Sequence, residues 1–392
     1  MDFWNVYPHF RNSQFESRYI DPVQWSQYCA KLPAAFLQKS TGNSYEGRPI
    51  HHIVWGTGPE KIFIWSQMHG NEPTATMAIS DFFGLLIRGE REDHPGHSLI
   101  NDWKKAFSLH FIPMLNPDGS KRFERRNAEG IDINRDAVAQ RSPESAFFWS
   151  LIEKEQPNFG FNLHDQRSMY SAGFSESPAT ISLLAASPDK ERTVNSSRKT
   201  SILMAGFLAQ TLRNHLGTHM ARYSDEFYPT AFGDNLQKKG VANVLIESGA
   251  SFNDPHRDQA RRANFVCLAA GLEALRANAL NDFHEIHYKS LPENETRFFD
   301  LVLNEVLWKG KPSDVGLRTK EVWNGSALER TFEVVDIGDL QFAPRFQSFE
   351  AKGLTWEGNL EIDKAPNITF KRPNATDLTL DRLGGTLIHE SE

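Results

Sequence analysis

The chain has 392 residues, 39% of them hydrophobic and 24% charged, with a formal net charge of -7. That size allows one large domain and a smaller one, and the mixture is ordinary for a globular protein. The acidic balance and the lack of a basic run speak against nucleic acid as a partner, and no apolar run approaches a membrane span.

The opening, Met1-Asp2-Phe3-Trp4-Asn5, has neither a basic nor an apolar signal region, so a cytoplasmic protein is expected. Cys29 and Cys267 lie far apart in helix-like contexts and are expected to be reduced core residues. Residues 1–60 read as a lead-in, with short helices expected over 15–20 and 22–25. A turn over 44–50 then leads into a strand, His51-His52-Ile53-Val54-Trp55. Adjacent strand residues point to opposite faces, so His51 and His52 cannot share one ion and are read as structural.

Lys61-Ile62-Phe63-Ile64-Trp65-Ser66 is a short apolar run that fits a buried strand. It ends at Gln67-Met68-His69-Gly70-Asn71-Glu72-Pro73, where Gly70 and Asn71 make a turn and Pro73 suits the first position of a helix over 74–83. His69 and Glu72 therefore flank a tight turn at the carboxyl end of a strand, where open α/β sheets place their ligands. An imidazole and a carboxylate there can ligate zinc; alone, the pair is a common chance match and needs context.

A polar loop over 88–95 follows, then a strand over 107–114 that ends at the turn signal Asn116-Pro117-Asp118-Gly119. Residues 122–136 lack periodicity but are dense in hydrogen-bonding groups, as in a binding loop. Ser142-Pro143-Glu144 starts a helix with a cap and a proline. Phe159-Gly160-Phe161-Asn162-Leu163-His164-Asp165 repeats the earlier design, a strand terminating at a histidine. A stretch over 168–199 reads as loops, a helix is expected over 202–215, and another loop over 225–235. The strand Val241-Ala242-Asn243-Val244-Leu245-Ile246 runs into Glu247, whose apolar surroundings would raise its pKa. A long helix over 259–277 covers the sheet. Alternating strands and helices give an α/β domain, with a mixed, mostly parallel central sheet, over residues 1–287. Short strand signals near 333–336, 342, 354–356, 360–362 and 368–370 mark a small β-rich appendage over 288–392.

Together, His69, Glu72 and His164 supply two imidazoles and a carboxylate, leaving a tetrahedral zinc one open position. Glu247 is a free carboxylate on the same face, able to take and pass on a proton. The loop through Arg125 and Arg135 brings guanidinium groups, one for an oxyanion and one for a substrate carboxylate.

These motifs, in this order, resemble the zinc carboxypeptidase family. Its His-x-x-Glu matches His69 and Glu72, its later zinc histidine matches His164, and its Asn-Pro-Asp-Gly matches residues 116–119. Its Gly-Val-Asp-Leu-Asn-Arg matches Gly130-Ile131-Asp132-Ile133-Asn134-Arg135. The resemblance spans about residues 40–280 and implies one Zn2+ per chain. It implies that Asn134 and Arg135 bind the substrate's terminal carboxylate and that Asp132 orients His69. It implies Glu247 as general base, and Arg125 as the oxyanion arginine with Arg126 as the fallback. The chain departs from the family pattern at Asp136 and Ala137, expected to alter the pocket wall, and Tyr228 is the candidate for a substrate-covering tyrosine. The implied activity is removal of the last residue of a peptide, a cell-wall peptide among the options. The alternative is a zinc deacylase of N-acyl amino acids, since His69-Gly70-Asn71-Glu72 also resembles the aspartoacylase and succinylglutamate desuccinylase type. A peptide-binding pseudoenzyme fits poorly, because all three ligands and Glu247 are present.

Overall fold

In the strand Glu60–Ser66, Ile62 and Ile64 face one helical layer while Phe63 and Trp65 face another. This period-2 split, repeated in neighbouring strands, makes a sheet covered on both sides. The structure, a computed structural model, describes residues 1–371 and 378–379, with backbone alone for 367–371 and 378–379.

In chain order, helices α1 (Phe3–Val6) and α2 (Pro22–Cys29) precede strands β1 (Phe36–Asn43), β2 (Pro49–Trp55) and β3 (Glu60–Ser66). Then come α3 (Thr74–Gly89), α4 (His97–Ala106), β4 (Phe107–Ile112), α5 (Pro117–Arg122), α6 (Pro143–Glu155) and β5 (Phe159–Asp165). After β6 (Tyr170–Ala172) and β7 (Ile181–Leu184) follow α7 (Ser196–Leu216), β8 (Met220–Arg222), α8 (Phe232–Lys238), β9 (Ala242–Ser248), α9 (Asp258–Arg276) and α10 (Ile286–Lys289). The central sheet has eight strands in the order β1-β2-β4-β3-β5-β9-β7-β8. Its middle, β4-β3-β5-β9, is parallel, and β1, β2 and the β7–β9 pairing are antiparallel. The expected mixed, mostly parallel sheet is therefore present. Helices α3, α7 and α9 contribute to the larger core and α6 and α8 to the smaller.

Several local expectations change. Residues 15–20 are not helical. Asn116-Pro117-Asp118-Gly119 starts α5 rather than a free turn, because the Asn116 side chain accepts from Gly119 N and Pro117 takes the first helical position. Pro73 caps α3 rather than beginning it, and α3 runs on to Gly89, into the expected polar loop. The stretch over 168–199 contains β6 and β7, and the expected loop over 225–235 ends in α8. Gly160 is required by packing: a Cβ there would lie 2.7 Å from the Trp65 ring. Cys29 and Cys267 are both free and buried, and among the described residues no helix is long and apolar enough to cross a membrane.

The chain forms two compact units, one of Met1–Gln166 with Ala179–Asn294, the other of Arg167–Pro178 with Glu295–Glu392. The second is β-rich. It pairs β6 with β10 (Asn294–Thr296) and builds a four-stranded sheet, order β13-β12-β11-β14, from β11 (Phe299–Trp308), β12 (Lys311–Trp323), β13 (Leu328–Gly338) and β14 (Arg345–Glu350). Strands β15 (Thr355–Asn359), β16 (Asn367–Lys371) and β17 (Leu378–Thr379) make a third, three-stranded sheet. Leu301, Leu303, Val315, Leu317 and Val334 fill this unit's core. The long pair β11 and β12 was not among the expected strands. Phe342, expected in one, is 82% exposed outside any.

His51 and His52 carry structural bonds, as read from their strand. His51 meets Gln38 and Ser26, while His52 Nε2 lies 2.9 Å from Nδ1 of His110, whose ring stacks on Phe63. Burial lowers His52 from 6.5 to about 4 and His110 to about 3, with Lys39 adding to both and Glu155 opposing. The unfolded chain then binds more protons than the folded one as pH falls below 6.5. Stability is full above that value and is lost toward the folded pKa, on the order of 2 kcal/mol per histidine by pH 5. Urea midpoints at pH 7 and 5 should diverge in the wild type and converge in a His52→Gln/His110→Gln double variant. An unchanged slope in that variant removes the pair as the cause.

Candidate metal centre and active site

Parallel β3, β5 and β9 end at the same edge of the sheet. Their register pairs Ser66 with Leu163 and His164 with Glu247. The chain leaving β3 reaches His69 and Glu72 within the next few residues, so the strand ends deliver all four side chains to one place. The turn is tight: a Cβ on Gly70 would lie 1.9 Å from the Gly119 carbonyl carbon. Gln67 enters the turn with φ of 51°, an uncommon conformation for a residue with a Cβ. Its amide donates to Gly70 O and to Ser120 Oγ and accepts from Thr76, which fixes the turn from below.

Ligand atoms of His69, Glu72 and His164 all lie within 4.8 Å of one another, and the three residues are buried. His69 Nδ1 is 2.7 Å from Glu72 Oε1, and His164 Nδ1 is 2.9 Å from Glu72 Oε2. The far side of His69 is occupied, with Nε2 3.1 Å from Asp132 Oδ1, while His164 Nε2 has no partner among the described residues. Both Nδ1 atoms thus face one carboxylate. Two imidazole nitrogens and a carboxylate, buried and convergent, fit a zinc ion and leave a coordination position open. Asp132 gives His69 the carboxylate contact that orients metal-ligating histidines. Burial alone would raise Glu72, but the charges and hydrogen bonds of His69 and His164 hold it well below the usual carboxylate range. Asp132 is likewise held low against its burial, by the His69 hydrogen bond and the charges of His69, Arg125 and Arg135.

Arg125 joins this group. Its Nε donates to Asp132 Oδ2 at 3.0 Å, and its Nη1 lies 3.2 Å from His69 Nδ1 and 3.4 Å from Glu72 Oε1. Arg126 instead donates to Gly130 O. Of the two arginines weighed in the sequence, Arg125 is the one set against the histidine–carboxylate cluster. Glu247 is pushed well above its ordinary pKa by burial, then by the charges of Glu72 and Asp165, with Arg125 and Arg257 opposing. Its Oε2 is buried without a hydrogen-bond partner among the described residues.

Asn134 is buried and its side-chain oxygen accepts from Phe232 N at 3.1 Å, tying the binding loop to α8. Arg135 is exposed, donates to Asn134 O, and lies over the Tyr228 ring with Cζ 4.9 Å from the centroid. Tyr228 is itself half-exposed and is held by a bond from its N to Asp234, whose carboxyl is pushed up to about 6 by burial. Asp136, expected to alter the pocket wall, is fully buried and accepts from Ser142 N and Oγ at the start of α6. Sequence reasoning missed Gln67, Thr74 and Asp165, although Asp165 stands beside His164 and an ionisable residue after a buried strand was a visible signal.

Residues 23–176 match the model of the zinc carboxypeptidase family, and the resemblance read from the motifs is borne out. Carboxypeptidase SOL1 of Arabidopsis thaliana is 26% identical over 126 residues, 30% of this chain and 24% of that protein, so the match spans about a quarter of that curated relative. Among solved structures, a metallo-carboxypeptidase from Pseudomonas aeruginosa, in complex with (2-guanidinoethylmercapto)succinic acid, has a TM-score of 0.52 at 16% identity. The alignment covers 68% of this chain and 71% of that one. A metallo-carboxypeptidase from Burkholderia cenocepacia has a TM-score of 0.53 at 18% identity, covering 67% and 71%. At such identities these structures show a shared fold.

Proposed function

We propose that this chain, whose kinship with the zinc carboxypeptidases is carried by residues 23–176, is a zinc-dependent metallocarboxypeptidase. The observation that carries the reading is the buried convergence of His69, Glu72 and His164, with Glu247 beside His164 on the neighbouring strand. When bound there, zinc would polarise the scissile carbonyl and make a water nucleophilic near neutral pH. The remaining work falls to the chain. Glu247, in its ionised form, takes the proton of the attacking water and passes it to the leaving amine. The Arg125 guanidinium stands beside the ligands, where it can donate to the developing oxyanion. Asp132 keeps His69 in one ring orientation. Asn134 and Arg135 hold the substrate's terminal carboxylate, and Tyr228 lies against Arg135 where it can cover the bound residue. A digest of mixed peptides and N-acyl amino acids with zinc-loaded protein tests the reading. Release of single C-terminal residues supports it, and hydrolysis confined to N-acyl amino acids would overturn it in favour of the deacylase.

The carboxylate site adds a prediction. Arg135 is exposed before substrate binds, so its removal leaves no buried charge stranded. The expected loss is that of hydrogen bonds to a charged group, roughly 1.5–3 kcal/mol, or about 10- to 150-fold. A substrate with an amidated C-terminus should lose that much in kcat/KM against its free acid. Arg135→Ala should shrink the difference, since the planar guanidinium is what pairs with the carboxylate. Equal kcat/KM for the two substrates in the wild type rules the site out.

A further inference from the structure

Asp165 follows His164, and its side chain is 3% exposed, so its charge is out of reach of solvent. Its Oδ2 gathers donors from three parts of the chain. Thr74 Oγ1 donates at 2.6 Å and Thr74 N at 3.4 Å, Arg18 Nη1 lies at 3.4 Å, and Arg257 Nη1 at 3.7 Å. Each donor belongs to a segment that carries site residues or leads into one. Thr74 begins α3, two residues after Glu72. Arg257 immediately precedes α9, with a left-handed φ of 59°, and also donates to Ser248 O, the residue after Glu247. Arg18 comes from the lead-in and also donates to Thr74 Oγ1. The Asp165 backbone completes the ring, donating its N–H to Glu72 Oε2 at 3.2 Å.

Burying one carboxylate between two guanidinium groups is costly to desolvate, and a buried ionic group is best attested where it fixes register. This one sits where a shift of a fraction of an ångström between strand ends would move ligand atoms apart. We propose that Asp165 is a positioning residue, which locks the ends of β5 and β9 to the start of α3 so that His164, Glu72 and Glu247 converge. The inference rests on the metal-site reading above, and it makes Thr74 and Arg257 members of the same device.

Cobalt(II) is the probe, because its visible bands report ligand geometry without any turnover. Asp165→Asn tests the carboxylate directly. Thr74→Val removes the shortest bond at almost constant shape, and Arg257→Met removes one cation; both keep the test open if Asp165→Asn does not fold. Each folded variant should bind cobalt about 10- to 100-fold more weakly, as for other partners that orient ligands, with shifted visible bands. Arg257→Lys should recover part of the affinity. A role confined to stability would instead lower the melting temperature of the metal-free protein while leaving affinity and bands unchanged. Unchanged cobalt affinity and bands in Thr74→Val and Arg257→Met overturn the proposal alone. Failure of the wild type to bind cobalt overturns the metal site, and this proposal with it.

Discussion

Glu247→Gln should keep the fold and the zinc and lose most of the turnover. General acid–base groups contribute about 10²–10⁴-fold, and the amide cannot accept the proton. The substitution is nearly isosteric, and nothing in the sheet depends on the carboxylate. Glu247 lies on β9 between His164 and Ser182, paired through backbone, and its Oε2 has no partner among the described residues. The change therefore removes chemistry without removing a structural bond. The pH profile supplies a second reading. Burial, Glu72 and Asp165 raise the Glu247 pKa, against Arg125 and Arg257. A carboxylate base works in its ionised form, above that pKa. Bound zinc would draw the Glu247 pKa down from that raised position, and wild-type kcat/KM should fall as pH falls through the pKa of the zinc-loaded protein. The residual activity of Glu247→Gln should lack that limb. Near-normal turnover in the variant, with zinc fully loaded, removes Glu247 from the mechanism.

The parts of this site legible in the sequence are those that local rules control. A short apolar run ending in a histidine and a turn can be read at β3 and again at β5, because strands need an apolar run and ligands gather at strand ends. Parallel order then brings His164 and Glu247 side by side, and that step needed the sheet. The misread segments share a cause. Asn116-Pro117-Asp118-Gly119 is as good a helix start as a turn, and the caps decide only when the next residues find cover. Strand β7, Ile-Ser-Leu-Leu, is too short to stand out from its polar surroundings, yet it is wholly buried against β9. The long strand β12 carries polar side chains at seven of its 13 positions, which dilutes an apolar signal, whereas β11, with three polar residues in ten, was legible as a strand and was passed over. Exposure was also invisible. Arg135, expected to bind a substrate carboxylate, is open to solvent and lies over the Tyr228 ring. Asp165 was passed over because its partners, Arg18, Thr74 and Arg257, are distant in sequence, and only the fold assembles them.

His164→Ala should abolish stoichiometric zinc and, with it, activity. His164 is the one histidine ligand candidate on β5, and Glu72 Oε2 meets its Nδ1 at 2.9 Å. After truncation that oxygen keeps, among the described residues, the Asp165 N–H at 3.2 Å. Two donors, His69 and Glu72, then remain where three converged. Loss of a group that merely orients a ligand weakens metal binding about 10- to 100-fold, and loss of the ligand itself should exceed that. Melting in the presence of zinc gives a readout apart from turnover. A ligand at about 1,000 times its Kd stabilises the folded state by about 4.1 kcal/mol. Zinc should therefore raise the melting temperature of the wild type and leave that of His164→Ala where it was. His51→Ala is the matched control, because among the described residues the His51 side chain bonds Gln38 and Ser26, outside the ligand cluster, and should retain the full zinc response. Full zinc occupancy in His164→Ala, or a zinc response lost in the control as well, would show that the ligand set is not His69, Glu72 and His164.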